Sequence, residues 1–300
     1  MGRSPILPRS LTDPAQTDAM ERRAMADFNR RIAAAGKLYV SLLDQIPFDE
    51  VVTNARRYEF RLLPSVLSSL LERTGQLVDQ LLLQGGQSGL WFLRSYVEPA
   101  VQKGTEQARV NLAVQSAGYA ATRPTLQAVL LSEPYQRRIG LVAAREYELM
   151  QGLTAEVKSG LSQVLTQGLA TGIGPREIGK QLTEQVGIKQ RRAHLIARTE
   201  IGNALENAKL DEAEQAEQDL GVRSMELWLS AMSSTTRKSH ATRSGKLFSR
   251  QEVREFYSRD GNRCNCRCST TTVLVDAEGK PLSPSIIERA QRRKLRYAGS

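Results

Sequence analysis

Apolar residues recur every three or four positions through most of the first half of the chain, a period that only a helix turns into one continuous face. Asp13 in Thr12-Asp13-Pro14 is placed to cap free amides, and Pro14 suits a first helical position. From there Met20, Ala24, Phe28, Ile32 and Ala35 lead into Leu38, Leu42 and Ile46, predicting a helix over 14–46 that Pro47 ends. Its other face carries Arg22, Arg23, Arg30, Arg31 and Lys37. A second helical stretch is expected over 48–84, with Leu63, Val66, Leu67, Leu70 and Leu71 in one stripe and Pro64 kinking or dividing it. Gly85 to Gly89 form a turn. A third stretch over 90–122 has Pro99 as a further kink, and Ser132-Glu133-Pro134 opens a helix to about 150.

Beyond residue 150 the texture shortens. A helix over 154–169 is expected to end at Gly172-Ile173-Gly174, the next to run from Pro175 to Val186 and stop at Gly187, and another to span 189–220. Val222 to Ser230 then alternates as a strand, with Met225, Leu227 and Leu229 on one side and Glu226 and Trp228 on the other. Gly245 to Phe248 reads as a short strand or turn, Ser249 caps a brief helix over 250–257, and Cys264 to Val275 reads as a last strand. The expected fold is mainly α with a small α+β carboxy-terminal domain. It divides into an extended or disordered segment 1–13, an elongated helical domain 14–150, a compact domain 151–275 and a basic tail 276–300.

Aromatic residues make up only 5% of the chain, which disfavours a β-sandwich. Lysine and arginine number 42 against 32 acidic residues, a net charge of +10 that suits a polyanionic partner, nucleic acid first, as well as a solvated basic surface. Three cysteines make no secreted disulfide framework. No apolar run approaches the roughly 18 residues of a membrane span, and the amino terminus lacks the apolar core of a signal peptide. Folding in a reducing cytoplasm is expected.

Reactive side chains crowd into Trp228–Cys268, which holds His240, Cys264, Cys266 and Cys268. These four form a candidate zinc set. As same-face residues of a strand, however, the cysteines would stand roughly 6.5–7 Å apart, too far for sulfurs sharing one ion. Thiols packed under a sheet, with no cofactor, are the expected arrangement. On the preceding helix Glu200, Asn203 and Asn207 share a face, and bonding to a neighbouring backbone is the expected use of that stripe. A catalytic alternative draws on Arg198, Glu200 and His240, as in a nuclease or an ADP-ribosyltransferase. No Gly-rich phosphate cradle, HExxH or GxSxG accompanies it.

The motifs Ala197-Arg198-Thr199-Glu200 with Asn203, Trp228, Thr236-Arg237-Lys238-Ser239-His240, Gly245-Lys246-Leu247-Phe248 and Cys266-Arg267-Cys268 resemble the phage Mu F-like head morphogenesis family over about 154–275. Where that family has an aspartate seven residues before the histidine, Ser233 stands here, and Ser244-Gly245 replaces an Asp-Gly. The resemblance implies a minor head protein of a tailed bacteriophage. It would associate with the portal and with scaffold or major capsid protein, act in head assembly and genome packaging or delivery, and have scope for self-association. Its place would be the host cytoplasm during assembly and then the virion head, with no membrane in the mature head. It also implies that Arg198, Thr199, Glu200, Asn203, Trp228, Arg237, His240, Gly245, Cys266, Arg267 and Cys268 brace the domain. Arg289, Arg292, Arg293, Lys294 and Arg296 of the tail are then expected to face packaged double-stranded DNA. The enzymatic alternative is a nuclease or ADP-ribosyltransferase-like effector delivered with the genome.

Overall fold

The computed structural model of the chain describes residues 4–52 and 56–298, apart from the side chains of 52, 56 and 295–298. In chain order the elements are α1 (Asp18–Leu43), β1 (Phe48–Val52), β2 (Arg56–Phe60), α2 (Pro64–Leu82), α3 (Gly86–Gly89), α4 (Glu98–Gln115), α5 (Ala117–Thr122) and α6 (Leu126–Leu130). They continue as α7 (Glu133–Thr171), α8 (Pro175–Leu220), β3 (Ser224–Leu229), α9 (Lys238–Ala241), β4 (Leu247–Phe248), α10 (Arg250–Ser258), β5 (Ser269–Leu274) and α11 (Ser285–Ala298). A π-helical turn at Leu93–Val97 precedes α4. The chain is mainly helical, with a small α+β region toward its carboxy terminus.

Two compact units are present, one of residues 1–22, 94–139 and 197–300, the other of 23–93 and 140–196. The dividing points fall inside α1, the π-helical turn, α7 and α8.

In the second unit the helix expected over 48–84 is instead a hairpin followed by α2. Phe48, Val51, Tyr58 and Phe60 favour strand, and Phe48 pairs with Phe60 across the hairpin, their rings 5.9 Å apart. Pro64 sits in the first turn of α2 and starts that helix instead of kinking it. The helix breaks expected near Gly152 and at Gly187 are absent: α7 runs continuously through Gly152 and α8 through Gly187. A Cβ on Gly168 would collide with the Ile178 side chain, so this glycine permits a close crossing between α7 and α8. The stop expected at Gly172 is present, at φ +68°. Around Phe28, Trp91 and Phe92 an aromatic core forms, with Phe28 centred 4.9 Å and 5.1 Å from the other two rings. His194 hydrogen-bonds through Nε2 to Asn29 Oδ1 at 2.7 Å, a packing role.

The first unit is built on a three-stranded antiparallel sheet in the order β4-β3-β5. Its central strand alternates as expected and is buried on both faces. Trp228 packs with Leu210 of α8 and Val253 of α10, while Leu227 and Leu229 pack with Ile286 and Ala290 of α11. The side-chain amide of Gln115, at the end of α4, continues the ladder beside β5: its Nε2 donates to the Thr272 carbonyl at 3.0 Å and its Oε1 accepts from Leu274 N at 2.9 Å.

The amino-terminal segment is extended but held. Ile6 N donates to Asn111 Oδ1 at 2.7 Å, and Met232 N donates to the Leu11 carbonyl at 2.8 Å. Residues 1–3 of that expectation lie outside the described residues. Asp13 caps α1 by accepting from Thr17 N and Asp18 N, but the helix opens at Asp18 because Gln16 turns the chain at φ +60°. The basic tail contains α11, described to residue 298, whose buried Ile286 and Ala290 anchor it.

Candidate functional site

Three short pieces of chain meet at the end of the sheet in the first unit: α9 with its preceding loop, the turn over 259–265, and the irregular segment Cys266–Cys268. The last strand begins only at Ser269, so the cysteines do not alternate along it as the sequence suggested. Asp260, Gly261 and Asn265, with φ of +53°, +59° and +53°, curl the chain just before Cys266. Cys264 is left exposed, whereas Cys266 and Cys268 are buried.

Both buried sulfurs reach one nitrogen. His240 Nδ1 lies 3.4 Å from Cys266 Sγ and 3.6 Å from Cys268 Sγ. The three ligand-type atoms all lie within 4.8 Å of one another. The other ring nitrogen, Nε2, is 3.4 Å from Asn262 Oδ1, and Asn262 Nδ2 donates to the Phe256 carbonyl at 3.0 Å. The hydrogen bond with Cys268, helped by His240 and the Arg263 guanidinium, lowers the Cys266 thiol against the effect of burial. Its partner Cys268, beside that sulfur and buried, is raised.

An aromatic wall backs the site. Trp228 is fully buried, with its ring 5.2 Å from Phe256 and 5.1 Å from Tyr257. Its indole N–H donates to Ser230 Oγ at 3.1 Å, and Ser230 Oγ donates to the His240 carbonyl at 2.6 Å. Arg237 forks onto the turn, with Nη1 donating to the Gly261 carbonyl at 3.0 Å and Nη2 to the carbonyls of Asn262 at 2.6 Å and Cys264 at 3.2 Å.

The opposite side opens on a cavity of about 320 Å³, rimmed by Arg198, Ser233, Thr236, Arg237 and Arg267 and floored by His240, Cys266 and Cys268. Arg198 Nη1 reaches Asn265 Oδ1 at 3.5 Å, and its buried Nε has no hydrogen-bond partner. Thr199 Oγ1 accepts from Asn265 N at 3.1 Å, and Arg267 pairs with Asp18 at 3.5 Å. Asn203 accepts from Asn207 one turn along α8 at 3.2 Å. Gly245, at φ +79°, turns the chain into β4 and hydrogen-bonds the Trp228 carbonyl. Of the catalytic alternative, Arg198 and His240 share the cavity and Glu200 is not among its lining residues.

In the tail, Arg289 donates to Ser4 Oγ at 3.2 Å and Arg293 to the Ser10 carbonyl at 3.1 Å. Arg292 pairs with Glu288 at 3.7 Å on an exposed face. Lys294 is half-buried, and the side chain of Arg296 lies outside the described residues.

A second polar cluster, which the sequence did not flag, lies under the same sheet. Glu226 is fully buried and accepts from Thr270 at 3.0 Å and Thr272 at 3.2 Å. Burial, with Glu206 nearby, pushes its pKa up to about 7. Lys209 lies close by, donating to Ser269 Oγ at 2.7 Å and 3.8 Å from Glu206. The available signal was a glutamate on the Trp228 side of an alternating strand.

Among the described residues no helix is long and apolar enough to cross a membrane. No solved structure matches the chain. A Haemophilus influenzae protein named "Uncharacterized protein" is 22% identical over 172 residues, covering 57% of this chain and 37% of its own length. The chain thus spans little more than a third of that relative. Residues 159–271, which hold the whole His240–Cys266–Cys268 cluster, match the family described as Phage Mu protein F like protein. The chain therefore carries a segment similar to Phage Mu protein F over residues 159–271.

Proposed function

We propose that this protein is a minor head protein of a tailed bacteriophage that docks on the portal and acts in head assembly and genome packaging or delivery. The Phage Mu protein F like match over 159–271 is the observation that carries this reading. Docking is supported by α2 and the residue before it, where Leu63, Val66 and Leu77 remain 68%, 44% and 40% exposed. An apolar row of that kind suits a protein surface such as the portal, scaffold or major capsid protein. Proximity to packaged double-stranded DNA is supported by the net charge of +10 and by the exposed Arg289 and Arg292 of α11. The separation of Glu200 from the cavity shared by Arg198 and His240 supports a non-catalytic role for these residues.

The test is to produce the full chain with the portal and capsid proteins of its phage and to weigh the composition of purified heads by mass spectrometry. The expected result is incorporation at a few copies per head, lost when the portal is omitted and reduced by Leu63→Asp with Val66→Asp. A chain abundant in the lysate and absent from portal-bearing heads overturns the reading.

A further inference from the structure

The convergence of His240, Cys266 and Cys268 is independent of any role in head assembly, and nothing in that role uses it. We propose that these three side chains hold a zinc ion, with a fourth coordination position open to the cavity rimmed by Arg198, Thr236 and Arg237.

The distances fit such an ion. Tetrahedral zinc with sulfur at about 2.3 Å and nitrogen at about 2.0–2.1 Å separates a nitrogen from a sulfur ligand by about 3.6 Å. The two separations here are 3.4 Å and 3.6 Å. Three ligand atoms within 4.8 Å of one another leave room for one cation at their centre with only small shifts. The objection drawn from an extended strand disappears because Cys266 and Cys268 precede β5 and follow the left-handed Asn265.

The tautomer also fits. Asn262 Nδ2 is engaged by the Phe256 carbonyl, which turns Oδ1 toward His240 as an acceptor. With zinc bound, Nε2 carries the proton and the lone pair of Nδ1 faces the ion. A histidine ligand held through its other nitrogen in this way is the usual outer arrangement of a zinc site. Binding releases the remaining thiol protons to solvent. Two thiolates then balance the dication beside a neutral imidazole, a charge-neutral set for a buried position. Trp228, Phe256 and Tyr257 shield it on the protein side, and the cavity leaves the fourth position to water or a small anion. Cys264, exposed and outside the cluster, takes no part.

The experiment uses the full chain, purified reduced and without strong chelators, then loaded with zinc and dialysed. Elemental analysis is expected to find about one zinc per chain, as a single three-residue ligand set requires. Cys264→Ser retains it, and Cys266→Ser with Cys268→Ser loses it. Because that double variant can fail to fold, cobalt is loaded into the unaltered chain as well. Intense tetrahedral d–d bands with a thiolate-to-cobalt charge-transfer band are expected. A reduced, unaltered chain that takes up neither metal overturns the proposal. So does full zinc retention in the double variant, zinc loss in Cys264→Ser, or a cobalt spectrum without thiolate charge transfer.

Discussion

The indole of Trp228 stands edge-to-face against the imidazole of His240, with ring centroids 5.9 Å apart and planes inclined at 69°. The same indole is tied through Ser230 Oγ to the His240 carbonyl, so one residue fixes both the ring and the backbone of the histidine. Trp228→Phe keeps an aromatic surface but removes volume and the donor to Ser230. A loss of about 1–3 kcal/mol in unfolding free energy is expected by urea denaturation. An unchanged midpoint would show that the indole is not the centre of this packing.

Arg237 braces the turn that delivers Cys266. Arg237→Ala removes its hydrogen bonds to the carbonyls of Gly261, Asn262 and Cys264. The amides of Cys264 and Cys266, which donate to the carbonyls of Gly261 and Arg263, are then expected to exchange with solvent at least several-fold faster. Arg237→Lys restores little, because a single ammonium cannot reproduce the planar fork. Equal protection in all three proteins would remove the bracing role.

Glu226 gives the first unit a pH-dependent stability. Its folded pKa is raised to about 7 from the ordinary 4.5, so folding favours the protonated acid. That contribution is complete below the ordinary value and is lost as pH rises through about 7. Unfolding free energy is expected to fall on the order of 1–3 kcal/mol between about pH 5 and pH 8, and Glu226→Gln to flatten the change. Thermal melts of both proteins across that window measure it. A wild-type curve that rises over the same interval contradicts the assignment.

Gln115→Ala strips the sheet of its surrogate neighbour and leaves Leu274 N and the Thr272 carbonyl without their amide partner. A cost of about 1–3 kcal/mol is expected, with faster exchange at Leu274 as its local signature. Gln115→Asn, one methylene shorter, does not rescue it.

Gly104→Ala places a methyl group on the backbone carbonyl of Leu205, where α4 crosses α8 inside the first unit. Helix propensity alone predicts a gain from this change, on the order of 1 kcal/mol. Packing predicts a loss of about 1–3 kcal/mol or more, and should win because backbone cannot move aside as a side chain can. Differential scanning calorimetry gives the sign directly.

Much of this architecture is legible in the amino-acid order. The 3–4 spacing of Phe28 and Ile32 places them in a helix core, the alternation through Leu227, Trp228 and Leu229 gives β3 its two faces, and Ser249 caps α10 with Glu252 in a reciprocal box. The errors share a cause. Gly152 and Gly187 read as helix breaks when each lies within a continuous helix, because sequence does not distinguish a glycine needed for a positive φ, such as Gly172, from one that a helix simply runs through. The hairpin at Phe48–Phe60 was missed because leucine-rich α2 lent its period to the neighbouring residues. At the site, a CxC pattern read as strand kept the sulfurs apart. The turn that joins them depends on Asp260 and Asn265 taking positive φ, which neither residue announces by itself.

The first unit draws on three separate stretches of chain, 1–22, 94–139 and 197–300. Leu11 accepts from Met232, and Ser10 accepts from Arg293, joining positions more than two hundred residues apart. During synthesis the early stretches must wait, exposed, until β5 and α11 emerge. Such distant pairing makes closure slow. The first unit is thus completed only once α11 has emerged, and a nascent chain cut short before residue 272 leaves Gln115 with no strand partner to join.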